Sequence, residues 1–144
     1  MIPKWYHIAM KLITRNTDYA VRAACYLAKH EGGAVPASRL VADLGMPRPF
    51  LRKIMQSLTR AGLVRSYRGA GGGFVLAVNP SKLSISKIIG VFQGPFRLNE
   101  CLFRKRICPD RRVCPLRKSI GAIEAAAVAE IGGITIGSLI KEAK

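Results

Sequence analysis

Residues 99–117 read NECLFRKRICPDRRVCPLR. Three of the chain's four cysteines fall in this stretch, Cys101, Cys108 and Cys114, at C-x6-C-x5-C spacing. Thiolates are soft ligands, and three so close together have the chemistry to hold a metal ion or an iron–sulfur cluster. Arg104, Lys105, Arg106, Arg111 and Arg112 interleave with them. These cations favour the thiolate forms and offset part of the charge of a thiolate-ligated cluster. Pro109 and Pro115 each follow a cysteine, so the stretch reads as a loop, with Pro115 fit to open a helix. The spacing is neither the C-x2-C of structural zinc sites nor the run of bacterial ferredoxins. Three thiolates are one short of a cluster's usual ligand set, so a fourth ligand must come from elsewhere or be an exchangeable molecule. Reduced thiols in a basic loop, or a redox disulfide, are the other readings of the same residues.

The chain that must position this loop has 144 residues and a formal net charge of +16. That is long enough for one domain with a core and an appended element. Lys and Arg outnumber Asp and Glu by 11 to 3 in residues 10–80 and by 10 to 2 in 81–118, but stand at 2 to 3 in 119–144. Such a field suits a polyanion, above all nucleic acid. The opening MIPKWYHIAM has no apolar core of signal-peptide length. Glu124 and Glu130 break the apolar C-terminal stretch, which therefore does not read as a membrane span. A cytoplasmic protein is expected, in a compartment that keeps thiols reduced. Residues 1–9 read as an N-terminal extension, with Met10 as the natural first residue. No Ser/His/Asp constellation or paired carboxylates appear, and His7 and His30 fall in the tail and at a helix end, so an enzyme is not expected.

Periodicity places the elements. A helix is predicted from a cap at Asn16 or Thr17 to about His30, with Tyr19, Ala20, Ala23, Ala24, Leu27 and Ala28 on one face and Cys25 in the core. A second, short helix opens at 35–38, turns Leu40, Val41 and Leu44 inward, and closes at Gly45. A third opens at 47–49 and runs to about Arg60, with Phe50, Leu51, Ile54, Met55 and Leu58 inward and Arg48, Arg52, Lys53 and Gln56 outward. Two helices about a tight glycine turn form a helix-turn-helix. Strands over 63–67 and 74–78 flank a glycine-rich tip, which makes a wing.

The expected fold is thus mostly α with a small β-hairpin wing. A winged helix-turn-helix DNA-binding domain covers 10–80, a connecting helix capped by Ser84 lies in 81–98, and the cysteine loop covers 99–115. Residues 116–144 hold a long helix, stopped by Gly132-Gly133, and a short one capped by Thr135 that folds back. Leu116, Ile120, Ile123, Ala127 and Ile131 recur along the long helix among alanines that permit close approach, which reads as a dimerisation helix.

A recognition helix over 47–60 brings Arg48, Arg52, Lys53 and Gln56 toward base edges, and arginine suits bidentate contact with guanine. Contact with phosphate is the equal alternative for any one of them. Arg65, Arg68 and Gly69 on the wing suit the DNA backbone or minor groove. The glycine run is not a nucleotide-binding loop, because no Gly-Lys-Ser/Thr follows and it joins two strands. A symmetric dimer would present two such units to a pseudo-palindromic double-stranded site.

Taken together, MKLITRNTDYAVRAACYLA at 10–28, PRPFLRKIMQSLTRAGLVRSYRGAGGGFVLA at 47–77, the three cysteines and ITIGSLI at 134–140 resemble the Rrf-two family of bacterial winged-helix transcription regulators, in particular its IscR/NsrR-type iron–sulfur members. The resemblance implies a homodimeric repressor with a 2Fe-2S or 4Fe-4S cluster on Cys101, Cys108 and Cys114, sensing redox state, nitric oxide or iron–sulfur status. One type in the family takes its fourth ligand from a His three residues past the last cysteine, and here that position is Arg117. Another uses an Asp in the N-terminal helix of the partner subunit, before a (Tyr/Leu)-Ala pair. Asp18 precedes Tyr19-Ala20 and fits, with one extra residue near Ile13. Asp18 is otherwise a first-turn carboxylate favoured by the helix dipole. The alternative function is a winged-helix regulator without a cluster, sensing through cysteine oxidation or zinc. A cluster carrier would need neither the helix-turn-helix nor the basic surface.

Overall fold

The computed structural model describes residues 12–97 and 114–143. The expected extension over 1–9, Met10, and the cysteine stretch with Cys101 and Cys108 lie outside the described residues.

Thr14 sets the first helix. Its hydroxyl accepts the Thr17 N–H, and α1 spans Arg15–Lys29. The cap thus falls two or three residues before the position expected at Asn16 or Thr17. The reason is tertiary: Thr17 is fully buried, and its hydroxyl donates to Gln93 Oε1 at 2.7 Å. A buried hydroxyl without a partner costs about 1–3 kcal/mol, which that bond removes. Ala20, Ala23, Ala24, Leu27 and Ala28 are buried as expected. The small side chains of the four alanines let α1 lie at the centre of the packing, against four other helices, α2, α3, α4 and α6.

Helix α2 (Ala37–Leu44) buries Leu40 and ends at Gly45 with φ 62°, the left-handed cap where glycine carries no steric penalty. The Tyr26 hydroxyl donates to the Asp43 carboxylate and ties α1 to α2, and the Tyr26 ring stacks on His30 at 4.2 Å. That bond, more than burial, pushes the Tyr26 phenol above its ordinary pKa. Helix α3 (Arg48–Arg60) buries Leu51, Ile54, Met55 and Leu58. Phe50, expected inward, is instead 38% exposed. At about 100° per residue the four buried positions share an arc of roughly 100°, and Phe50 falls some 40° outside it.

Strands β1 (Val64–Tyr67) and β2 (Gly73–Leu76) pair antiparallel, with Val64 opposite Leu76 and Tyr67 opposite Gly73. The hairpin is not free of the helices. Val35 N–H donates to Phe74 O and Phe74 N–H to Val35 O, both at 2.9 Å, so β2 is fastened to the segment before α2. A Cβ on Gly73 would lie 2.2 Å from Val35 O, and Gly73 has φ 149°, so only glycine fits there.

After a single 3-10 turn (Pro80–Lys82), α4 (Ile85–Gln93) buries Ile85, Ile88 and Ile89. Ser84 holds the N-cap position but makes no side-chain capping bond. Helix α5 (Pro115–Gly133) opens on Pro115, as expected. Gly132 and Gly133 do not stop it but form its last turn, and Ile134 is the cap. Thr135 caps α6 (Ile136–Glu142) in a reciprocal box with Ser138, and α6 folds back on α1. No helix among the described residues is long and apolar enough to cross a membrane.

Candidate nucleic-acid interface and cysteine site

Arg48, Arg52, Gln56 and Lys53 are all exposed and fall within roughly 140° of the α3 circumference, opposite the buried arc. The amphipathic pattern of 48–60 requires this, because the same turns that bury Leu51, Met55 and Leu58 turn the cations out. Arg65, Arg68 and Gly69 are exposed on the hairpin. The structure thus gathers the α3 candidates on one face and sets the wing candidates on the hairpin that follows. A shallow cleft of 420 Å³ lies at the root of the wing, between Thr59 and Gly62 on one side and Arg65 and Tyr67 on the other, and Arg65 is the one candidate that lines it. Sequence reasoning passed over Tyr67. Its place next to Arg65 and Arg68 in an alternating strand was the available signal, and it is an exposed aromatic on this surface.

Of the four expected ligands, Cys114 and Asp18 lie among the described residues. Cys114 is a half-buried free thiol at the N-cap position of α5. Asp18 stands in the first turn of α1, half-exposed, with Arg22 Nε 3.1 Å from its Oδ2. Among the described residues no three His, Cys, Asp or Glu side chains converge. Cys25 behaves as a core residue: it is half-buried in α1, and burial pushes its thiol pKa up against the pull of Lys29. Leu116, Ile123 and Val128 on α5 are 67%, 61% and 44% exposed, and Ile131 is the helix's buried residue.

A helix-turn-helix with a hairpin fastened to it and a basic exposed face on its second helix is a DNA-binding winged helix. The Rrf2 family model, described as an iron-dependent transcriptional regulator, matches residues 13–142. The chain belongs to that family, so it is a bacterial transcriptional regulator that binds DNA, and not an enzyme. It is 28% identical over 134 residues to the transcriptional regulator NsrR of Bacillus subtilis, covering 92% of this chain and 91% of that one. Among solved structures, CymR of B. subtilis, described as its global cysteine regulator, superposes with a TM-score of 0.75 at 26% identity, over 92% of this chain and 98% of that one. IscR of T. potens gives a TM-score of 0.73 at 26% identity, over 92% and 88%.

Proposed function

We propose that this protein is a homodimeric, cytoplasmic transcriptional repressor. Its affinity for a pseudo-palindromic operator is set by an iron–sulfur cluster, 2Fe-2S or 4Fe-4S, that answers to redox state, nitric oxide or iron–sulfur status. Cys101, Cys108 and Cys114 hold the cluster, and Asp18 of the partner subunit supplies a weak, displaceable oxygen ligand. When bound, such a group supplies an iron atom that a small oxidant or nitric oxide can reach. The donor chemistry fits: Cys114 is a free thiol, and the exposed Asp18–Arg22 pair is of a kind worth under about 1 kcal/mol, so the carboxylate is available.

The observation that carries this reading is the position of Cys114. This thiol opens α5, and Leu116 and Ile123 on that helix are left bare in a single chain, a face suited to a second copy. A ligand set completed at the start of α5 acts on the element that spaces two DNA-reading heads, and a coupling of about 1–3 kcal/mol is enough to switch binding. Arg48, Arg52, Lys53 and Gln56 read bases in the major groove, while Arg65, Arg68 and Gly69 meet the backbone or minor groove.

A second reading keeps the DNA-binding regulator but replaces the cluster with cysteine oxidation or zinc. The likeness to CymR, a cysteine regulator, favours it. Iron, acid-labile sulfide and zinc measured per chain on protein purified without oxygen, with its visible spectrum, separate the two. Iron with matching sulfide is expected. Zinc, or free thiols without metal, would establish the second reading.

A further inference from the structure

Thr17 is the one fully buried polar residue among the described residues, and it is neither a candidate DNA contact nor a candidate ligand. Its hydroxyl donates to Gln93 Oε1 at 2.7 Å, and the same oxygen accepts the Thr14 N–H at 2.9 Å. Gln93 Nε2 donates to Leu12 O at 3.5 Å. Gln93 is the last residue of α4. One carboxamide therefore clasps the end of α4 to the start of α1, beside the buried alanines of α1 and isoleucines of α4. Apolar packing tolerates sliding, whereas two directional, part-buried hydrogen bonds to one carboxamide oxygen favour a single arrangement.

The same end of α1 reaches the DNA-facing helix. The Tyr19 ring meets the Phe50 ring edge-on, with centroids 6.0 Å apart and an interplanar angle of 79°. The Arg15 guanidinium lies 5.6 Å from the Tyr19 centroid. Phe50 sits in the first turn of α3, between Arg48 and Arg52. Gln93 thus holds the first turn of α1 at Thr17, and two residues on, from a different face of the same turn, Tyr19 meets Phe50 of α3, so the link between the two contacts is the α1 backbone.

We propose that Gln93 is a positioning residue for DNA recognition. It sets the first turn of α1, and through Tyr19 and Phe50 it sets how Arg48 and Arg52 are presented. The inference rests on the reading of α3 given above and names the internal contact that tunes it.

The test measures affinity of the full chain, as isolated, for a duplex selected by the wild-type protein from a random pool and for a random duplex, at one fixed salt concentration. Gln93→Met keeps length and volume but removes the clasp, Thr17→Val removes the hydroxyl, and Thr17→Ser retains it. Both removal variants are expected to lose about fivefold or more of the selected-to-random affinity ratio. Thr17→Ser keeps the wild-type ratio, and the double variant loses no more than the worse single one. If Gln93→Met does not fold, Gln93→Asn, which draws the carboxamide back by one methylene, is read in the same way. Ratios unchanged in variants with a lowered melting temperature would overturn the proposal and leave the clasp a purely stabilising contact. A wild-type protein with no preference for its selected duplex would instead sink the DNA-reading assignment of α3, and the positioning role with it.

Discussion

Arg52 stands one helical turn after Arg48, at the centre of the exposed arc of α3, and carries the most direct prediction at the scale of single residues. Arg52→Ala should weaken binding to the selected duplex by about 1–3 kcal/mol and relax preference at one base position, while binding to a random duplex falls far less. An equilibrium titration against both duplexes checks this. Tyr26 gives a second expectation. Its phenol pKa is raised because its O–H is donated to Asp43, so its contribution to folding stability is present below the ordinary phenol range and is lost as pH rises through the raised value. Tyr26→Phe should therefore flatten the alkaline decline of stability in a pH series of denaturant titrations. The candidate residues were chosen from type alone, and the structure places Arg48, Arg52, Arg65 and Arg68 on exposed surface, while Cys101 and Cys108 lie outside the described residues. The exposure of Phe50 was not legible, because an apolar residue at the edge of a buried arc looks the same in sequence as one inside it. Gln93 was invisible for the opposite reason: a lone amide at a helix end has no pattern until its partner, 76 residues away, is known.

At the scale of elements, periodicity together with cap and turn residues placed the six α-helices and both strands among the described residues, but not the 3-10 turn at Pro80–Lys82. Boundaries failed where tertiary partners outvoted local signals. Thr17 has the side chain of a cap, yet it is buried as a hydrogen-bond donor, so Thr14 took the role. Gly132 and Gly133 have the sequence of a stop, yet α5 continues through them until Ile134 takes up extended backbone and leads into the α6 cap. Gly73 is the sharpest element-level test, because its place is set by both conformation and contact. Gly73→Ala should cost on the order of 2–3 kcal/mol, combining an unfavourable φ with a clash against the Val35 carbonyl. A melting curve would show the loss, and DNA binding should weaken with it, as the hairpin must shift to make room.

At the scale of the molecule, the α5 face is the feature a single chain leaves unexplained. Ile123→Glu should leave the melting of an isolated subunit nearly intact, since Ile123 is 61% exposed within its own chain, yet break the proposed dimer in sedimentation measurements and lower DNA affinity with it. A variant that stays dimeric would move the dimer contact to another surface. The fastening of β2 to the segment ahead of α2 has its own consequence. With the hairpin stitched to the helical body at Val35 and Phe74, the two probes that approach DNA form one stiff tool with a fixed gauge. A target in which one extra base pair separates the step met by α3 from the step met by the hairpin is displaced by about 3.4 Å along the axis. A rigid caliper cannot follow that change, so under the proposed reading of α3 and the hairpin the spacing between their two steps is itself part of the address.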